Sequence, residues 1–188
     1  MMKRYLAALA ALAFATAAQA QDSNTLLIDI SGKANGTVTV ELLADVAPQH
    51  VARIKTLAGE GAYDNVAFHR VIEGFMAQTG DVEFATRDAF GQGRAGTGGS
   101  SYPDLPAEFS DIPFDRGIVG MARAQNPNSA NSQFFIMFAE GHFLNGQYTV
   151  VGRVTDGMDI VDAIQRGVGQ GGSVADPDYM SSVRLQAE

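Results

Sequence analysis

The chain has 188 residues, with 13 Lys and Arg against 21 Asp and Glu, a formal net charge of −8, and no cysteine. An acidic chain repels phosphate backbones and anionic headgroups, which argues against nucleic-acid and membrane-surface partners. The absence of cysteine excludes disulfides, thiol catalysis, zinc–thiolate sites and a lipoprotein junction.

The first twenty residues stand apart from the rest. In MMKRYLAALAALAFATAAQA, Lys3 and Arg4 precede an apolar run that ends on Ala18-Gln19-Ala20. A basic start, an apolar middle and a small-x-small end predict a secretory signal cleaved after Ala20. The apolar run over 5–18 is short for a spanning helix. Cleavage leaves one domain, 21–188, which is 168 of the 188 residues. Loss of Lys3 and Arg4 with no acid takes the net charge from −8 to −10. A domain of that size buries enough surface to be stable without disulfides.

TLLIDIS (Thr25–Ser31) is apolar and β-branched, and residues 36–43 alternate Val38, Val40 and Leu42 with Thr37, Thr39 and Glu41. Both read as strands, joined by a tight turn around Gly32 and Gly36. A helix follows, with Asp45 as its expected cap, Pro48 in its first turn, and Val51, Ile54, Leu57 and Ala58 at helical spacing. Gly59 and Gly61 end it. Short apolar runs then recur at 66–72, 75–79, 118–122, 134–138 and 150–154, each closed by glycine or a polar turn. A second helix is expected with Asp156 as cap and Ile160, Val161 and Ile164 on one face. A closing strand is expected over 178–186. Many short strands with little helix predict a closed barrel or a sandwich. The glycine-rich stretch 91–101 has no phosphate-loop pattern and reads as a long surface loop. Residues 125–131 read as a polar turn.

The usual catalytic constellations are missing. His50, His69 and His142 are widely spaced, and no G-x-S-x-G occurs. No acid pair stands out from the acidic background. What remains is FHRVIEGFMAQTGD, residues 68–81, with Arg70 inside an apolar strand and Phe75, Met76 and Gln78 beside it. Arg70 and Ile72 share one strand face and Val71 takes the other. By pattern alone, a functional role for Arg70 and a bland one, in which it reaches the surface or pairs with an acid, stand level. His69 is expected to be a satisfied core histidine. Phe68, Ile72, Phe134, Ile136 and Phe138 are expected to pack.

Three blocks carry a resemblance: FHRVIEGFMAQTGD, MARAQNPNSANSQFFI and HFLNGQYTVVGRVTDGMDIVD. In order and spacing they resemble the signature blocks of the cyclophilin-type peptidyl-prolyl cis–trans isomerases. With the signal sequence, the chain is similar to the exported bacterial branch. The resemblance implies an all-β dominated fold, an eight-stranded antiparallel closed β-barrel capped by two α-helices. It also implies a site. Arg70 matches the catalytic arginine, and Phe75, Met76 and Gln78 match pocket and peptide-contact residues. Ala122, Arg123 and Ala124 match a segment whose backbone pairs with the peptide. Gln133 and Phe135 match the S-Q-F-F block, and Phe143, Leu144 and Tyr148 match the far wall of the pocket.

Three positions depart from eukaryotic members. Phe143 replaces Trp, which removes an indole N–H donor and predicts weak cyclosporin binding. Tyr148 replaces His, and Arg123 replaces Asn. The implied partners are proline-containing peptides and unfolded clients, met by a monomer without a cofactor. The periplasm is the expected compartment. A peptide-binding module without turnover, and a lipocalin-like ligand carrier, are the competing readings. An intact Arg70 and pocket disfavour the first, and a phenylalanine- and methionine-filled interior disfavours the second.

Overall fold

The computed structural model describes residues 23–187, so the expected signal sequence lies outside the described residues. The strands are β1 (Thr25–Ser31), β2 (Gly36–Leu42), β3 (Val66–Ala67), β4 (Arg70–Ile72), β5 (Met76–Thr79), β6 (Ile118–Met121), β7 (Phe134–Met137), β8 (Val150–Asp156) and β9 (Tyr179–Leu185). Among the described residues two α-helices join them, α1 (Pro48–Gly59) and α2 (Met158–Ala163), with a 3-10 turn at His142–Leu144.

All nine strands form one sheet in the order β3-β9-β1-β2-β8-β6-β7-β5-β4, and every pairing is antiparallel. The strand count is therefore nine where eight were expected. The difference comes from the run at 66–72, which splits at Phe68 and His69. There the Phe68 N–H donates to the Asp178 carbonyl (2.9 Å) and the His69 carbonyl accepts from Val174 (3.2 Å). The end strands β3 and β4 are halves of this one segment, so the chain itself joins the two ends of the sheet.

The main core packs Leu26, Ile28, Val38 and Val40 of the first hairpin against Val51, Ile54 and Leu57 of α1. Phe68, Val71 and Ile136 join it, so Phe68 and Ile136 pack as expected. Strand β7 is buried along its whole length. Phe134 and Ile136 face the main core, while Phe135 and Met137 face a second cluster with Met76, Phe114, Leu144 and Val150. Successive strand side chains point to opposite faces, so a strand covered on both sides reads as an unbroken apolar run. The second cluster lies directly beneath the site.

Neither expected acidic cap is used. Ala47 is the N-cap of α1 and Gly157 that of α2, and neither of these two residues has a side chain that caps its helix. At α1 the cap comes from afar: the Glu108 carboxylate accepts from the backbone N–H of Gln49 (3.2 Å) and His50 (3.1 Å). A carboxylate at a helix start satisfies orphan donors and complements the helix dipole. Burial works to raise the pKa of Glu108. The hydrogen bonds from the His50 ring and from these amides outweigh it and hold the carboxyl below its ordinary value. Asp156 is the last residue of β8, and Gly157 with φ 83° makes the turn into α2.

Candidate active site

The site grows from the register of three strands. Arg70 stands opposite Gln78 in the β4–β5 pair, and Gln78 stands opposite Phe135 in the β5–β7 pair. Arg70 is half-buried and finds no acid among the described residues. Its Nε donates to the Gly171 carbonyl (3.1 Å) and its Nη1 to Gln78 Oε1 (3.1 Å). Its Nη2 has no acceptor among the described residues. Burial lowers the pKa of Arg70, with the Tyr148 phenol acting the other way, and a guanidinium stays charged regardless. With a weaker bond from Nη1 to Met76 Sδ (3.9 Å), the result is a cation held through Nε and Nη1 with one nitrogen left to donate.

The polar chain continues away from Arg70. Gln78 Nε2 donates to Gln133 Oε1 (2.9 Å), and Gln133 Nε2 donates to the carbonyls of Gly96 (3.1 Å) and Gly98 (2.8 Å). Those glycines belong to the loop at 91–101, and their N–H groups donate to Asp81 Oδ2 at 2.7 and 3.0 Å. The other Asp81 oxygen accepts from Glu83 (3.1 Å) and Phe84 (2.8 Å). Asp81 is fully buried. A Cβ at Gly98 would lie 2.5 Å from Asp81 Oδ1, so only glycine fits there. The loop is thus pinned to the site. Sequence reasoning saw Asp81 as the end of a block and the loop as mere surface, because nothing local in the sequence links them.

The apolar part is a cleft of about 280 Å³. Met76, Phe135 and Leu144 are buried beneath it, and Phe75 packs on exposed Phe143 with ring centroids 5.4 Å apart. Tyr148 meets Phe135 edge to face at 5.9 Å. Arg123 lies over the Tyr148 ring (4.4 Å) and donates to the Gln147 carbonyl through Nε (3.1 Å) and Nη2 (2.9 Å). Its side chain is therefore occupied. Its backbone N–H and carbonyl have no partner among the described residues, whereas Ala122 N–H is taken by Gln133 O (2.9 Å) and Ala124 N–H by Ser129 Oγ (2.9 Å). An unpaired backbone position next to a strand end is where a peptide strand adds.

A second cleft of about 430 Å³ adjoins the first and holds Ala124 and Gln133, with Gln78, Ala122 and Arg123 lining both. All twelve residues named from the sequence thus line one continuous groove. Two buried residues were missed: Asp81 and Phe114, the latter stacked on Phe135 at 5.8 Å. Phe114 lies outside any strand, and its aromatic character alone gave no signal.

His69 is 6% exposed, as expected of a core residue, and neither ring nitrogen has a hydrogen-bond partner among the described residues. Its ring lies under Gly96, where a Cβ would come within 3.2 Å. Burial pushes its pKa down, with Asp81 acting in the opposite sense.

A family model described as cyclophilin type peptidyl-prolyl cis-trans isomerase/CLD matches residues 25–185. A protein from Brucella suis named "Probable peptidyl-prolyl cis-trans isomerase" is 59% identical over 175 residues, covering 92% of this chain and 88% of its own length. Its Brucella abortus counterpart is 58% identical over the same shares. A Cryptosporidium parvum cyclophilin-type isomerase, crystallised in the presence of the dipeptide Ala-Pro, has a TM-score of 0.74 at 26% identity, covering 87% of this chain and 99% of its own. A Hirschia baltica cyclophilin has a TM-score of 0.71 at 26% identity, covering 87% of this chain and 74% of its own.

Proposed function

The chain belongs to the cyclophilin-type peptidyl-prolyl cis–trans isomerase family, and from that premise we propose that its groove rotates Xaa-Pro bonds through one directed hydrogen bond from Arg70. A bond before proline prefers trans only modestly, so both isomers are populated in unfolded chains. The barrier of roughly 18–20 kcal/mol comes from the partial double-bond character of C–N. Rotation breaks that conjugation and returns a lone pair to the prolyl nitrogen. No bond is cleaved, so neither nucleophile nor general base is required.

In this reading Phe75, Met76, Phe135 and Leu144 grip the proline ring, with Phe143 and Tyr148 closing the far wall. The backbone at Ala122, Arg123 and Ala124 holds the flanking peptide, and Gln78 and Gln133 anchor it. Arg70 donates to the nitrogen lone pair, which exists only in the twisted state. A donor that meets its acceptor only there lowers the barrier without tightening either ground state. One observation carries the reading: Nε and Nη1 of Arg70 are committed to Gly171 and Gln78, which leaves Nη2 without an acceptor among the described residues, beside an apolar cleft. The substrates are proline-containing peptides and unfolded clients, and the enzyme works as a monomer.

The site of action is the periplasm, where proline isomerisation, taking tens of seconds uncatalysed, limits folding. Lys3, Arg4, the apolar run and Ala18-Gln19-Ala20 support export, and the family match begins at residue 25, beyond them. N-terminal sequencing of protein recovered from a periplasmic fraction should start at Gln21. Protein found only in the cytoplasm with an intact Met1 end would refute export.

The test of the chemistry is Arg70→Ala, assayed by two-dimensional exchange NMR on an Ala-Pro peptide, with folding checked by circular dichroism. Turnover should drop by about 10²–10³-fold, the loss typical of a transition-state donor. A folded variant with full turnover would reduce the groove to a peptide-binding surface.

A further inference from the structure

We infer that Phe114 is a positioning residue that holds the floor and the lip of the cleft in one arrangement. The inference rests on the cleft being the proline pocket proposed above. Phe114 is fully buried in an irregular segment and touches no open groove. Its ring stacks on Phe135, with centroids 5.8 Å apart and planes at 25°. Phe135 is the floor, and it in turn meets Tyr148 edge to face. The backbone of Phe114 ties to the lip. Its N–H donates to Asn145 Oδ1 (2.9 Å), and its carbonyl accepts from Gly141 N–H (2.7 Å). Gly141 and Asn145 flank the 3-10 turn at His142–Leu144, which carries Phe143 and Leu144. One residue is therefore stacked under the floor and bonded to both ends of the lip.

Strand β6 leaves room for this stack. A Cβ at Gly120 would lie 2.5 Å from Phe114 Cε1 and 2.6 Å from Phe135 Cζ. Real Cβ contacts are essentially never that short, so even one methyl at 120 must displace one of the two rings. Interiors are close-packed and respond to added methyl groups by shifting rings off their rotamers. The pair of rings at 114 and 135 and the missing side chain at 120 form one fitted unit. Phe135 has a single place to lie because Phe114 fills the space behind it.

The pocket grips the proline ring in planar and twisted states alike, so disturbing its floor removes uniform binding. That raises KM and leaves kcat nearly unchanged. Loss of the stacked ring in Phe114→Leu should raise KM for an Ala-Pro peptide by roughly five- to tenfold, the worth of an aromatic pair, with kcat within twofold. Gly120→Ala should raise KM in the wild-type background. It should raise it less on top of Phe114→Leu, because the shorter side chain vacates the space that the methyl strikes. Such non-additivity identifies coupled residues.

Folding and melting temperature are checked for each variant by circular dichroism. A lower melting temperature with KM unchanged would make Phe114 ordinary core and overturn the inference. So would strictly multiplicative effects in the double variant. Should Phe114→Leu fail to fold, exposed Asn145→Ala releases the Phe114 N–H without opening the core. It should raise KM roughly threefold, in keeping with one hydrogen bond, and an unchanged KM overturns the inference. The two readings fail differently. A wild-type chain without turnover refutes the proline pocket, whereas normal wild-type kinetics with indifferent variants refutes only the role of Phe114.

Discussion

The two halves of the groove are held in place by different physics. The apolar half is a packed wall. Met76, Phe135 and Leu144 are 1%, 5% and 6% exposed, and each is fixed by many weak contacts. The polar half is a relay from Arg70 through Gln78 and Gln133 to the glycine loop and Asp81, and each link is one or two bonds near 3 Å. A packed wall tolerates volume-conserving exchange, because contacts redistribute. A relay does not, because hydrogen bonds weaken steeply with distance and angle. The catalytic arginine of the proposed reaction sits at the end of the relay that meets the wall. Direction there is set by single bonds and depth by bulk packing.

The largest expected effect tests the wall. Phe135→Ala should cost about 3–5 kcal/mol in urea unfolding, as expected for a truncated buried aromatic, while Met76→Leu should cost under about 1.5 kcal/mol and keep kcat/KM. Equal damage from both would erase the contrast. Next comes the end of the relay. Arg70→Lys keeps the charge but loses the planar fork that bonds Gly171 and Gln78 together. We expect a stability loss of about 1 kcal/mol, in keeping with a hydrogen bond given up, and kcat/KM down about 100-fold, equivalent to about 2.7 kcal/mol of barrier. A lysine enzyme with near-normal turnover would show that position alone, without direction, suffices.

Asp81→Ala strikes the far end of the relay. Four backbone N–H groups lose their acceptor, which should cost about 2 kcal/mol. Hydrogen exchange at Gly96 and Gly98 should quicken, and kcat/KM should fall because Gln133 loses its fixed carbonyl partners. A loss of stability with unaltered kinetics would detach the loop from the site.

The smallest effect is a pH dependence. The folded-state pKa of His69 lies below its ordinary 6.5 because burial disfavours the cation. The unfolded chain therefore takes up the proton first, and the contribution of neutral His69 is fully present above pH 6.5. It is lost as the pH falls through the depressed folded value. The melting temperature of the wild type should drop over that acidic range, and His69→Gln should flatten the drop. An identical profile in the variant would show that other groups set the acid limit.

The sequence by itself determined a good deal. Strand alternation in the first hairpin, the stripe Val51, Ile54, Leu57 on α1 and the unbroken apolar run at β7 follow from period and burial, which are local properties of a chain. The twelve groove residues were legible because three long blocks carry them together. The alternation along β4 is local too, with Val71 buried and Arg70 and Ile72 half-buried on the other face.

Only the tertiary structure decided the partners. Asp45 and Asp156 look like caps, yet the α1 cap is Glu108, some sixty residues away in the chain. Arg70 turned out to pair with an amide and a carbonyl instead of an acid, because β-register brings Gln78 opposite it. Asp81, the glycine loop and Phe114 acquire their roles through contacts between distant segments. A hydrogen bond or a ring stack requires two groups within a few ångströms, and sequence spacing carries no information about that distance once the chain has folded back on itself. The residues of the groove were written in the sequence; the bonds that aim Arg70 and the ring that backs Phe135 were not.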